Sequence, residues 1–163
     1  MKIAIISDVH DNLANLKKFF DWFKKNKIEI IICCGDVTNN ETLKKIADSN
    51  VPIFLVSGNI KLFDDIEVEQ YKNITYFQKF GTFTIDNKKI GLCHEPEYIK
   101  NIMEQKKDCN IIFYGHTHKP WEKQENNTLT VNPGTLGGTF QRATFAFWNT
   151  KINSLELKIL DLL

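Results

Sequence analysis

Five short apolar segments of this chain each end abruptly in polar residues of the kinds that bind metal ions. The first runs through residues 3–6 and stops at Asp8 and His10. An uninterrupted aliphatic run is typical of a strand buried on both faces, as in a parallel sheet covered by helices. The other runs end in Asp36, in Asn59, in His94, and in His116 with His118. Because open α/β sheets place their sites at the carboxyl ends of strands, we expect these side chains to converge.

The segments between the first runs have the periodicity of crossover helices. Residues 13–25 place aromatic and aliphatic side chains at helical spacing after Asn12, a residue type that favours the helix N-cap. This aromatic stripe predicts core packing, and part of it could instead form the interface of a homodimer. Further helices are expected near 41–48 and over 97–107, and residues 62–71 are expected to form a short helix or an irregular segment.

The second half of the chain contains three predicted hairpins. Strands at 82–85 and 89–92 flank a turn at 86–88, those at 121–124 and 128–132 bracket 125–127, and 144–148 pairs with 155–160. These hairpins predict that the second half is mainly antiparallel. We therefore expect an α/β (α+β) fold in one domain over residues 1–163, with two sheets in the core and helices outside.

Composition excludes some partners. The formal net charge is only +1 and the lysines are dispersed, so nucleic acid is not an expected partner. Arg142 is the only arginine, and bidentate phosphate clamps are therefore scarce. The cysteines lack CxxC spacing and are predicted to be buried thiols suited to a reducing cytosol. No apolar run has the length of a membrane span, so we expect a cytoplasmic protein without a membrane partner.

The four histidines of the chain all follow apolar runs. A single histidine in such a place is more often structural, but four of them together with Asp8, Asp36 and Asn59 favour a metal site. Imidazole and carboxylate ligands together suit Zn, Mn, Fe, Co or Ni. His116 and His118 would face opposite ways in an extended strand, so both reach one site only if Gly115 and Thr117 lie on a turning loop.

The number of potential ligands bears on the number of ions. Seven are too many for one ion that keeps an open position, and they suit two ions if one carboxylate bridges them. Two cations about 3.5 to 4 Å apart can activate a water and clamp the oxygens of an in-line displacement at phosphorus. The pattern therefore indicates phosphate-ester hydrolysis.

Five motifs in this order resemble those of the calcineurin-like metallophosphoesterases. They are Asp8-Val9-His10, Gly35-Asp36, Gly58-Asn59, His94 and Gly115-His116-Thr117-His118. The short length and the loop at 132–135 resemble the compact YfcE/MJ0936-like phosphodiesterase subgroup. The resemblance implies a four-layer α-β-β-α sandwich of two mixed sheets. It also implies a hydrolase that uses two divalent transition-metal ions, among which manganese is favoured.

The resemblance also assigns roles to the ligands. The first ion would be held by Asp8, His10, Asp36 and His118. Asp36 would bridge to the second ion, which Asn59, His94 and His116 would complete. The expected catalytic residues are Asp36, Asn59 and His94, acting through a metal-bridging hydroxide that attacks phosphorus. Asn12 and Thr38 are candidates for supporting the ligands, with surface capping as the alternative, and Asn12 is also a tentative substrate contact.

Two departures from the family pattern concern the substrate. Ile60 and Lys61 follow Asn59, where many relatives have a histidine that assists the leaving group. Lys61 is a tentative substrate-binding residue, and an exposed, solvated lysine is the alternative. Glu95 follows His94, where the family usually has glycine. This carboxylate could change the occupancy of the second metal position, repel an anionic substrate or point to solvent.

The expected function is hydrolysis of a small or activated phosphodiester. Two alternatives stay open. One is a phosphomonoesterase, because the same ions serve both reactions and the difference lies in the pocket walls. The other is a catalytically weak binding scaffold of the same fold, for which Glu95 and the missing histidine would be the sequence signals.

Overall fold

The computed structural model describes residues 1–105 and 108–163, which form two stacked sheets with helices on their outer faces. The strands are β1 (Lys2–Ile6), β2 (Ile30–Cys33), β3 (Ile53–Leu55), β4 (Ile74–Tyr76), β5 (Phe80–Ile85), β6 (Lys88–Cys93), β7 (Ile111–Phe113), β8 (Trp121–Glu125), β9 (Thr128–Asn132), β10 (Thr144–Asn149) and β11 (Ser154–Ile159). The helices are α1 (Leu13–Asn26), α2 (Asn40–Ala47), α3 (Asp65–Glu69) and α4 (Tyr98–Gln105), and a 3₁₀ turn covers Leu160–Leu162.

Both sheets are mixed. The first has the order β11-β10-β1-β2-β3-β4, in which β1 to β4 are parallel and β10 and β11 form an antiparallel hairpin. The second has the order β5-β6-β7-β9-β8. Its centre is parallel, from β6 through β7 to β9, whereas the β5-β6, β8-β9 and β10-β11 pairs are antiparallel, in line with the expected mainly antiparallel second half. The hairpins were predicted correctly, but α4 provides a crossover from β6 to β7, and β9 inserts between β7 and β8.

Burial on both faces explains the apolar runs. In β1, Ile3 and Ile5 point into the core between the two sheets, whereas Ala4 and Ile6 point towards the helix layer. Both sets are completely buried. A third apolar cluster, which includes Ile102 of α4, covers the outer face of the second sheet. These packing layers confirm the predicted four-layer α-β-β-α arrangement of two mixed sheets.

Helix α1 matches its prediction in detail. The Asn12 side chain accepts a hydrogen bond from the Asn15 N–H at 3.1 Å, which caps the helix. Its aromatic stripe packs on β10, with ring-centroid distances to Phe145 of 5.1 Å from Phe19 and 4.8 Å from Trp22. These contacts place most of the stripe in the core. The homodimer stays a prediction.

The remaining elements differ from the predictions in small ways. Helix α4 ends at Gln105, and the predicted extension over 106–107 lies outside the described residues. The short strand β4 was not predicted, because three residues at a sheet edge, none of them fully buried, have no readable apolar pattern. The cysteines are all buried. Among the described helices, none combines the length and the apolar character that crossing a bilayer requires.

Candidate metal centre

All seven predicted metal ligands lie at one end of the two sheets, where the parallel strands finish. Those on the first sheet follow β1, β2 and β3, and those on the second follow β6 and β7. Backbone hydrogen bonds join neighbouring loops at this end: the Asp8 N–H donates to the Gly35 carbonyl at 3.1 Å, and the Gly115 N–H donates to the His94 carbonyl at 3.0 Å. The convergence expected from the strand ends is therefore present.

One group of ligand atoms surrounds Asp8. The Nε2 atoms of His10 and His118 lie 3.0 Å apart. Asp8 Oδ1 lies 3.8 Å from His10 Nε2 and 3.2 Å from His118 Nε2. Two nitrogen ligands that share one ion at about 2.1 Å lie roughly 3 Å apart, so this spacing fits a common cation. Among the described residues, these three side chains are close enough together to hold one metal ion, and so are Asp8, Asp36 and His94.

A second group lies beside it. Asn59 Oδ1 lies 2.8 Å from His94 Nε2 and 2.9 Å from His116 Nδ1. The buried His94 also reaches back to the first sheet, with its Nε2 atom 3.4 Å from Asp36 Oδ2. An amide oxygen and two imidazole nitrogens that face one another form a donor set for a transition-metal ion.

Asp36 lies between the two groups. Its Oδ2 atom is 3.8 Å from His10 Nε2 and 3.4 Å from His94 Nε2, while its Oδ1 atom accepts a hydrogen bond from the Ile60 N–H at 2.9 Å. Burial raises the pKa of the Asp36 carboxyl, but His94 and the Ile60 amide outweigh burial and bring the pKa below its usual value. A carboxylate oxygen directed at both groups is what a bridging ligand requires.

Asp8 provides a test of whether the site suits a cation. Its Oδ1 atom is buried and has no hydrogen-bond partner among the described residues. Burial raises the pKa of this carboxyl above its usual value, and His94 opposes that effect. A buried, unpartnered carboxylate oxygen is costly unless a charge compensates it. The residues present therefore fit a divalent cation beside Asp8 Oδ1.

The backbone at these loops has unusual conformations. Positive φ angles occur at five of the ligands: Asp8 (52°), His10 (44°), Asp36 (50°), His116 (68°) and His118 (58°). Non-glycine residues seldom adopt this region, and such residues cluster at functional sites. The left-handed turns at His116 and His118 themselves bring both rings to the site, so the required turn does not depend on the φ angle of Gly115.

Two glycines permit close approach of the loops. A Cβ atom at Gly115 would collide with the Ser7 Oγ atom and lie 2.9 Å from Asp8 Oδ2. A Cβ atom at Gly58 would collide with Asp36 Oδ1, and Gly58 also has a φ of +86°. The motif glycines thus allow the loops of the two sheets, and of adjacent strands, to pack against the ligands.

Several supporting groups were not predicted. The Ser7 hydroxyl donates to Asp8 Oδ2 at 2.5 Å, and the His116 N–H donates to the same oxygen at 3.1 Å. His94 Nδ1 lies 2.7 Å from the Cys34 carbonyl, and His118 Nδ1 lies 3.1 Å from the Thr139 carbonyl. A proton on each Nδ1 atom leaves Nε2 free to bind a metal. Ser7 could have been found by its position next to Asp8, but backbone carbonyls have no sequence signal.

The other predicted residues have defined partners. Lys61 Nζ forms an ion pair with Asp65 and lies 5.5 Å from the centre of the Phe63 ring. The Asn12 amide nitrogen donates to the Gly137 carbonyl at 2.8 Å, in addition to its cap on α1. Both side chains are therefore engaged within the protein, and their contacts with substrate stay predictions.

Two further residues border the ligands. Thr38 is buried near Asp36, and its carbonyl accepts a hydrogen bond from the Leu62 N–H at 2.8 Å. Glu95 is half-buried in the bend that follows His94. Its charge adds to burial in raising the pKa of Cys93 to about 12. Glu95 therefore places a carboxylate next in the chain to His94, a member of the second group of ligands.

Comparison with known proteins agrees with this geometry. The calcineurin-like phosphoesterase superfamily domain matches residues 1–153. The phosphodiesterase MJ0936 of Methanocaldococcus jannaschii is 30% identical over 144 residues, which cover 85% of this chain and 86% of that protein. A solved structure described as a novel archaeal phosphodiesterase superposes with a TM-score of 0.87 at 23% identity, over 98% of this chain and 99% of that one.

The same fold also occurs in Vps29. Vps29 of Chaetomium thermophilum superposes with a TM-score of 0.74 at 16% identity, over 98% of this chain and 95% of that one. At this level of identity the likeness concerns the fold alone. The expected fold and the expected family resemblance are both confirmed by these comparisons.

Proposed function

Because the chain belongs to the calcineurin-like phosphoesterase superfamily and is a metal-dependent phosphoester hydrolase, we propose that it is a phosphodiesterase for a small or activated phosphodiester. The principal support is the position of Asp36, whose Oδ2 atom lies within 3.8 Å of one ligand group and 3.4 Å of the other. We propose that the two groups bind two divalent ions, with manganese favoured among Mn, Ni, Fe, Co and Zn.

Each ligand has a structural task in this proposal. When bound, divalent ions supply Lewis acidity and lower the pKa of water towards neutrality. Asp36 is proposed to hold both ions, and Asn59 and His94 to complete the second position. The contact between His94 Nδ1 and the Cys34 carbonyl, at 2.7 Å, fixes the orientation of the ring. Burial lowers the pKa of His94, but the Asp36 carboxylate outweighs burial and brings it above its usual value.

The residues after Asn59 support a diester with a good leaving group. Ile60 occupies the position where a histidine acid would stand, and its side chain is 44% exposed. It cannot donate a proton to a departing alkoxide, so the reaction favours a leaving group that departs without protonation. Lys61 is paired with Asp65, which limits the cationic charge available for a dianionic monoester. The first observation favours an activated leaving group, and the second favours a singly charged diester over a dianionic monoester.

The second candidate is a binding scaffold with weak or no catalysis. The likeness to Vps29 in fold and the carboxylate of Glu95 beside His94 favour it. In this case the metal centre would serve structure, and metal binding would not be accompanied by turnover.

One assay separates these candidates. The protein is stripped of metal, reloaded with Mn²⁺ or Ni²⁺, and assayed with bis(p-nitrophenyl) phosphate and with p-nitrophenyl phosphate. Bound metal per chain is measured by elemental analysis, and anomalous scattering from crystals identifies the ion. We expect two ions per chain and a higher kcat/KM for the diester. Faster turnover of the monoester would indicate a phosphomonoesterase, and two bound ions without turnover of either ester would indicate a scaffold.

Two variants complete this assay: His118→Ala removes a proposed metal ligand, and Ile152→Ala is its control. His118 belongs to the first ligand group, whereas Ile152 is exposed in the turn between β10 and β11. That turn lies at the opposite end of the sheet, since the Thr150 N–H donates to the Met1 carbonyl. We expect His118→Ala to abolish turnover and Ile152→Ala to leave it unchanged.

We also propose a cellular location, partners and an oligomeric state for the protein. Buried thiols are the ground for proposing a cytoplasmic location, and the net charge of +1 is the ground for proposing small phosphoesters and no nucleic acid as partners. A homodimer and a single domain over residues 1–163 are proposed as well. Light scattering tests the dimer, and one cooperative unfolding transition would support the single domain.

A further inference from the structure

Phe140 is an exposed aromatic residue beside the metal centre. Its side chain is 91% exposed, which is the highest value among the exposed large hydrophobic residues of the described chain. Its ring centroid lies 6.3 Å from that of His118, and the two planes are inclined by only 21°. The ring is thus close to a ligand of the first group and still open to solvent.

The loop before Phe140 is fastened to the strand end that provides Asp8. The Leu136 N–H donates to the Ser7 carbonyl and the Gly137 N–H donates to the Asp8 carbonyl, each at 2.9 Å. The carbonyl of Thr139, the residue before Phe140, lies 3.1 Å from His118 Nδ1. These bonds fix the position of Phe140 relative to the metal ligands.

Neither burial nor backbone preference explains a phenylalanine at this position. Phe140 has a φ of +62°, a conformation that bulky side chains rarely adopt. The ring gains almost nothing from burial, because it stays in water in the structure. A strained backbone that holds an exposed aromatic ring beside a site is a reason to look for a ligand.

We propose that Phe140 is a substrate-contacting residue that stacks on a planar aromatic group of the phosphodiester, either an aryl group or a nucleobase. Flat aromatic groups stack on phenylalanine rings without requiring hydrogen bonds, so this contact selects for planarity. The proposal rests on the proposed phosphodiesterase function and adds the class of its substrate.

The side of the metal centre near Asn59 has an exposed aliphatic residue instead of an aromatic one. Ile60 follows Asn59 in the second ligand group and is 44% exposed, but it has no aromatic ring. An aliphatic side chain offers apolar contact without a preference for flat groups. The aromatic substituent of the diester is therefore placed on the side of His118, and the other ester group lies towards Asn59.

Binding of product-like ligands to the Mn²⁺-loaded protein tests this proposal without requiring turnover. Calorimetry compares two pairs: phenyl phosphate with cyclohexyl phosphate, and thymidine 5′-monophosphate with 2-deoxyribose 5-phosphate. In each pair only one member has a planar aromatic group. We expect the aromatic member of at least one pair to bind at least about fivefold more tightly than its non-aromatic counterpart, because stacking on an aromatic residue provides a gain of this size. A preference in the phenyl pair alone identifies an aryl group, and one in the nucleotide pair identifies a nucleobase.

The same calorimetry is carried out on variants of Phe140, and the quantity compared is the ratio of the two dissociation constants within each ligand pair. We expect Phe140→Ala and Phe140→Leu to reduce the ratio to about one, Phe140→Tyr to preserve it, and the control Ile152→Ala to leave it unchanged. A disturbed His118 would weaken both members of a pair equally, so it would not alter the ratio.

Two results would overturn the inference. One is equal binding within both pairs by the unaltered protein, and the other is a preference that persists in both Phe140→Ala and Phe140→Leu. Neither result depends on whether the protein hydrolyses diesters. Conversely, a stacking preference without any diester turnover would contradict the proposed function and leave the contact with Phe140 intact.

Discussion

His10 and His118 are separated by 108 positions in the chain, yet their Nε2 atoms lie 3.0 Å apart beside Asp8 Oδ1, which has no hydrogen-bond partner among the described residues. A cation can bind between these three side chains only in the folded state, where they lie together, so metal should stabilise the protein. At 100 times the dissociation constant, the gain in unfolding free energy is about 2.7 kcal/mol. For a chain of this size that corresponds to a rise in Tm of roughly 5 to 10 °C.

We expect His118→Ala to lose most of this Mn²⁺-induced rise in Tm, because it removes one of the paired nitrogens. Calorimetric scans with and without the metal provide the measurement, and Ile152→Ala is the control. A His118→Ala variant with an undiminished rise would mean that the ion does not bind beside Asp8.

Asp36 is expected to determine the number of bound ions. Its Oδ2 atom faces His10 and His94, so Asp36→Asn removes charge from both ligand groups at once. We expect fewer than two ions per chain in Asp36→Asn, and at least about a 100-fold loss of kcat/KM, since metal clamps contribute several kcal/mol to such reactions. Asp86→Asn is a suitable control, because Asp86 is an exposed carboxylate that contacts Thr150 at the other end of the sheet. Two fully bound ions in Asp36→Asn would exclude the bridging role.

The sequence predicted which side chains converge, because their positions follow from a simple geometric rule. Strands such as β1 and β2 are apolar on both faces, so their ends are easy to find, and parallel strands bring their ends to one edge. The parallel centre of the second sheet was missed because pairing of β9 with β7 is not local and has no sequence signature. A hairpin, in contrast, is encoded by a turn and its flanking residues.

The details around the ligands were less predictable for a similar reason. The carbonyls of Cys34 and Thr139 orient His94 and His118, but any residue type could supply a carbonyl. The ring of Phe140 lies near His118 only because the loop after β9 is fastened to the end of β1. Contacts of this kind depend on the packing of distant segments.

Glu95 should slow the hydrolysis of an anionic substrate. It is half-buried directly after His94, and its charge already affects the pKa of Cys93. We expect Glu95→Gln to raise kcat/KM for bis(p-nitrophenyl) phosphate about two- to fivefold at low ionic strength, with a smaller effect in high salt. Glu97→Gln, an exposed charge two positions further on, is the matched control and should have no effect. If Glu95→Gln behaves like the control, Glu95 points its charge away from the substrate.

The ion pair between Lys61 and Asp65 should limit the access of Lys61 to the substrate. Its ammonium group is paired with Asp65, and this contact, followed by a hydrogen bond from Tyr76, brings the pKa of Asp65 below its usual value. A lowered pKa means that this pairing stabilises the fold above about pH 3.8 and that the contribution is lost as pH falls further. The pair is only partly buried and therefore screened by solvent, so its contribution to stability should be at most about 1 kcal/mol.

If Lys61 contacts the phosphodiester, it must leave Asp65 to do so. We therefore expect Lys61→Ala to raise KM for the diester and Asp65→Asn to lower it, each about two- to fivefold, because the second change releases the lysine. The matched controls are Lys17→Ala and Asp21→Asn, which break a similar i,i+4 ion pair on α1. Steady-state kinetics at constant ionic strength provide the measurement. Unchanged KM and kcat in both variants would show that Lys61 serves only as the partner of Asp65.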